Sequence, residues 1–85
     1  MKAFLAAFDA LPLGVFTGVS DGRRYVATRQ IFAGGAAQKL VAEELGSGDY
    51  ISSNVYRLAS SARLRPCEMA QERVVRFVLG LQVAN

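Results

Sequence analysis

The dipeptide Asp21-Gly22 is the strongest folding instruction in this chain. It parts two runs, 15–19 and 23–31, that are rich in Val, Phe, Tyr, Thr and Ile. Both central positions of a type I′ turn need positive φ, and Asp-Gly meets that need at low cost. The two runs are therefore expected to fold back on each other as a hairpin. In that register Val19 opposes Arg24, Gly18 opposes Tyr25 and Thr17 opposes Val26. Gly18 would let the Tyr25 ring lie over the opposite backbone. Arg23 and Arg24 follow the turn directly, and strand alternation sends them to opposite faces. They read as a charged hairpin end that discourages edge pairing rather than as a joint clamp on one anion.

The rest of the chain is placed around that hairpin. Phe4, Leu5, Phe8 and Leu11 recur at helical spacing and Pro12 closes the run, which predicts a short first helix over 2–10. In "AGGAAQKLVAEELG" the residues Ala37, Leu40, Val41 and Leu45 form a helical stripe, with Gly46 at the expected stop. The segments "DYISSNVYRL" and "ARLRPCEM" predict a second pair of strands about "ASSA", with Pro66 marking an edge or a strand end. In "MAQERVVRFVLGL" a face of Ala70, Val74, Phe77 and Val78 predicts a last helix. Glu72 supports Arg76 there at i,i+4, and Leu81 folds back after Gly80 as in a Schellman cap. The expected class is α+β, a short N-terminal helix followed by two β-hairpin–helix units, α-ββα-ββα. Residues 1–85 form a single domain, with a four-stranded antiparallel sheet and all helices on one face. The partial match of "AQKLV" with "AQERV" hints at a duplicated unit.

Composition excludes more than it suggests. An 85-residue chain has a thin core, yet 52% of its residues are hydrophobic, so either the core is unusually dense or some apolar surface is left for a partner. Histidine is absent, which removes the usual general base, imidazole-dependent triads and most zinc sites. Cys67 is the sole cysteine, so no intrachain disulfide forms and a reducing cytoplasm is the expected compartment. No membrane span is expected, and no metal or cofactor. The protein is expected not to be an enzyme. Gly34-Gly35 matches no phosphate-loop pattern, the carboxylates match no calcium loop, and the serine pairs lack a base. Cys67, in the first turn of the last helix, reads as a small buried side chain.

Two functional readings survive. The first is a protein-interaction module that self-associates as a homodimer or takes another protein, with Val75, Leu79 and Leu81 of the broadly apolar last helix at the interface. The alternative is weak binding of single-stranded nucleic acid or RNA through a sheet face bearing arginines and stackable rings. Its candidate residues are Tyr25, Arg29, Tyr50, Tyr56, Arg57, Arg63 and Arg65. The formal charge of +3 and pI near 9.5 are mild for such a role. What separates the two readings is whether these arginines gather on one open face or scatter into pairs with carboxylates.

Overall fold

The computed structural model describes residues 1–84. Helix α1 (Lys2–Asp9) leads into a five-strand meander: β1 (Gly14–Ser20), β2 (Arg23–Phe32), β3 (Ala37–Glu44), β4 (Tyr50–Leu58) and β5 (Ser61–Pro66). Helix α2 (Gln71–Gly80) and a two-residue strand, β6 (Gln82–Val83), complete it. The sheet has six strands in the order β5-β4-β3-β2-β1-β6, every neighbouring pair antiparallel.

The first hairpin has the expected register, with Gly18 opposite Tyr25. Asp21 and Gly22 take φ of 53° and 75°, as a type I′ turn requires. Three features differ from expectation. Residues 37–44 form a central strand, so there is no helix after the first hairpin, no pair of ββα units, and a six-stranded sheet in place of four strands. The sequence there satisfies both periods. Alternation places Gln38, Leu40 and Ala42 inward and Ala37, Lys39, Val41 and Glu43 outward. A lone helix of that length is marginal in water, whereas the strand is paired along its length on both sides.

The second difference is at Gly18. Its lack of a side chain admits the approach of Leu81 and β6, a role the hairpin register alone does not indicate. A Cβ there would stand 2.8 Å from Leu81 Cδ1 and 2.9 Å from the Gln82 carbonyl oxygen. The third is at the end of α2. Leu81 has extended dihedrals and carries the chain into β6, so no Schellman cap forms. Cys67 likewise precedes α2, and its N–H still bonds the Ser52 carbonyl as a continuation of β5.

One core joins both helices to one face of the sheet. Phe4, Phe8 and Leu11 meet Val74, Phe77 and Val78 of α2 over Phe16, Tyr25, Ala27, Leu40, Ala42, Ile51, Val55 and Leu64. The alternate residues of the strands point away from both helices. Helix α2 is amphipathic: Val74, Phe77 and Val78 are buried, and Leu79 is exposed on its outer side.

Candidate functional site

Strand alternation decides which charged side chains can act together. Tyr25, Arg29 and Arg57 fall on the helix-facing side. Tyr25 is buried, its ring edge-on to Phe77 at 4.8 Å, and its hydroxyl donates to Asp49 Oδ2 at 2.7 Å. Asp49 also takes a hydrogen-bonded ion pair from Arg73, so β2, the β3–β4 loop and α2 are tied at one point. The hydrogen bond from Tyr25, aided by Arg73, holds the Asp49 carboxyl below its ordinary 3.8. Burial, reinforced by the bond to Asp49, raises the Tyr25 phenol above its ordinary value.

Arg29 is also buried and fully engaged. It donates from Nη1 to the Leu11 carbonyl at 2.6 Å, and from Nε and Nη2 to Gln38 Oε1 at 3.2 and 3.0 Å. Its guanidinium stands 4.9 Å from the centre of the Phe8 ring, a cation–π contact. Burial lowers its pKa, and nearby Asp9 opposes that shift. Arg57 donates to Asp9 at 2.6 Å. These three residues therefore bind the sheet to its helices and present nothing to a ligand on the other face.

Tyr50, Tyr56, Arg63 and Arg65 fall on the opposite face, which neither α1 nor α2 covers. Lys39 and Phe32 join them there. Their places are fixed by pairing. One transverse row runs Arg63, Tyr56, Ala37, Phe32 from β5 to β2. The next row, two residues along, runs Arg65, Asn54, Lys39, Gln30. Phe32, Tyr50 and Tyr56 are 48%, 46% and 37% exposed, large values for rings standing on a sheet. Val15, Val19, Val26 and Val41, with Thr17 and Thr28, make up much of the remainder of this face.

The charge distribution is one-sided. In the strands the open face carries Arg24, Lys39, Arg63 and Arg65 against a single acid, Glu43. The other six cations and six acids of the chain lie elsewhere and cancel. The whole formal charge of +3 therefore belongs to this face. Among the described residues none of its four cations has a carboxylate within 4 Å, whereas Arg23, Arg29, Arg57 and Arg73 each do.

Two other surfaces compete for attention. A cleft of about 240 Å³ at the hairpin end is lined by Arg23, Arg73, Arg76, Ser20, Tyr25 and Phe77. Most of its donors are already spent: the Ser20 hydroxyl on the Phe77 carbonyl, Tyr25 and Arg73 on Asp49, and Arg23 lies 3.6 Å from Glu44, while Arg76 has no carboxylate within 4 Å among the described residues. The second is the outer side of α2, where Val75 and Leu79 sit between Glu72 and Arg76. Leu81 turns inward instead and packs against the core.

Lys39 and Phe32 are the residues that sequence reasoning missed. Lys39 was expected on a helix, and Phe32 stood beyond the expected strand. The alternation through 37–44 was the available signal. Among the described residues no helix is long and apolar enough to cross a membrane, and no cluster of three or more His, Cys, Asp or Glu side chains is gathered to hold a metal. No protein-family model, curated protein or solved structure matches this chain.

Proposed function

We propose that the protein binds single-stranded nucleic acid on the open face of its sheet. The observation that carries this reading is the coincidence on one uncovered face of the chain's entire net charge with three exposed aromatic rings. Phosphates draw on lysine and arginine irrespective of sequence, and every base has a π face that an exposed ring can stack on. Face-to-face stacking of two copies is disfavoured by the same charge, because it would bring two net-positive faces together with Lys39 on a central strand of each. A duplex fits poorly, since its bases are already stacked and its outline is convex.

The test is fluorescence anisotropy with labelled oligo-dT and oligo-U at low salt. The expected result is saturable binding that weakens as salt rises. Replacing Arg63 and Arg65 together by Gln should weaken it at least tenfold. Wild-type protein that binds neither oligonucleotide at 20 mM salt would remove the proposal.

A second reading concerns the outer side of α2. Exposed Leu79 and its neighbour Val75, flanked by Glu72 and Arg76, support self-association of two copies through this helix, with both sheet faces left outward. Light scattering across micromolar concentrations tests it, with Leu79→Ser expected to shift the population to monomer.

A further inference from the structure

We infer that the bound segment crosses the strands from β5 to β2 as a short unpaired stretch, with bases on the Tyr56–Ala37–Phe32 row and phosphates on the Arg65–Asn54–Lys39–Gln30 row. This inference rests on the proposal that the face takes single-stranded nucleic acid, and goes further in naming where and how much.

The geometry comes from the pairing register. Tyr56 and Phe32 occupy one transverse row with only Ala37 between them. Two interstrand spacings put their backbones about 10 Å apart. Both rings are exposed, and the small Ala37 leaves the space between them open. The row therefore offers two stacking surfaces and a gap. The adjacent row contains only polar or cationic side chains, and it lies two residues along the strands, about 7 Å away. That separation is comparable to the reach from a base to the phosphate of its own nucleotide. Arg63 closes the aromatic row at the β5 edge, directly opposite Tyr56.

The other half of the face fits a polyanion less well. Tyr50 stands directly opposite Glu43, four residues along β3 from Lys39. The neighbours of Glu43 across β2 and β1 are Val26 and Thr17, neither of them cationic. Cations and usable rings coincide only at the Phe32–Arg65 end. Two rings imply a footprint of roughly two to four nucleotides, in the range of one small sheet platform. The ligand class is thus a short unpaired element, a loop or an overhang, rather than a long tract wound over the whole sheet.

The experiment combines a length series with variants that keep every charge. Oligo-U of 2, 4, 6, 8 and 12 nucleotides is titrated while tyrosine emission is followed, since the chain has no tryptophan. Affinity should climb steeply to about four nucleotides and then rise only by the statistical gain in sites. Tyrosine quenching should survive Tyr50→Phe and be lost with Tyr56→Phe. Ala37→Leu, which fills the gap, and Phe32→Ala, which removes one ring, should each weaken binding by about 5- to 100-fold, the loss of one stacked base. Far-ultraviolet circular dichroism and urea melts establish that both variants fold. Should Ala37→Leu and Phe32→Ala bind as wild type while Arg63→Gln with Arg65→Gln fails, the path is wrong and the binding face stands. Affinity that keeps climbing steeply to 12 nucleotides overturns the short footprint. No binding by the wild type at 20 mM salt overturns both.

Discussion

Gly18 is the residue at which β1 accepts its second neighbour. It pairs with Tyr25 on one side and Val83 on the other. A methyl group there meets the tip of Leu81, which can move, and the Gln82 carbonyl, which cannot without disturbing β6. Gly18→Ala should therefore destabilise by about 1–3 kcal/mol, the usual cost of overpacking. Adding Leu81→Ala should restore little, because the backbone clash remains; urea denaturation of the single and double variants measures this. Asp49 makes a second prediction at this scale. Its pKa is depressed in the fold, mainly by Tyr25, so the folded chain holds that proton less tightly than the unfolded chain. The stability it contributes is complete above about pH 5, a unit beyond the unfolded value, and is lost as pH falls through the folded value. Asp49→Asn should cost about 1–3 kcal/mol at pH 7, where it leaves Arg73 without its carboxylate. That cost should shrink towards pH 2, so urea melts of both proteins should converge in acid. A gap unchanged from pH 7 to pH 2 would mean that the charge of Asp49 contributes nothing.

At the scale of elements, the first hairpin was legible because its instruction is local. Asp21 and Gly22 both take positive φ, and this residue pair meets that need at low cost. Gly22→Val should cost about 1–3 kcal/mol, since a β-branched residue resists that backbone region, while Gly22→Asn should cost much less. Equal melting temperatures for the two variants would contradict the turn. Strand β3 was illegible for the opposite reason. Ala, Gln, Lys, Leu and Glu are good helix formers, and the spacing of Leu40, Val41 and Leu45 fits a helix. What selects the strand is the presence of β2 and β4 on either side, a tertiary fact that no local pattern carries. The same gap hid half of the candidate site. The period of two could tell that Arg63 and Arg65 share a face and that Arg57 opposes Tyr56. It cannot tell which face the helices cover, so it does not separate Tyr25, Arg29 and Arg57 from the residues on the other side of the sheet.

The whole molecule divides its charges by function. Away from the open face, four of the six cations answer carboxylates and help hold the layers together: Arg29 and Arg57 with Asp9, Arg73 with Asp49, Arg23 near Glu44. On the open side four cations answer only Glu43. Arg23 and Arg24 straddle this division, one on each face. They therefore provide a control that a count of arginines cannot. If Lys39 and Arg65 each meet a phosphate on the polar row, and Arg63 at the β5 edge meets the next phosphate along, the slope of log K against log salt for a single strand should be about −2, at roughly 0.7 per contact. Arg63→Gln with Arg65→Gln should remove about 1.4 of that slope. Arg23→Gln should leave it unchanged, because that side chain lies across the sheet from the ligand. Arg24→Gln should lower affinity slightly with little change in slope, since Arg24 shares the face but not the Phe32–Arg65 end. Each of these exposed changes should alter stability by no more than about 0.5 kcal/mol, so melting temperatures near wild type would assign the effects to binding. A loss of slope with Arg23→Gln equal to that of the Arg63 and Arg65 pair would move the polyanion to the hairpin-end cleft beside Arg73 and Arg76, and the open face would then need another partner.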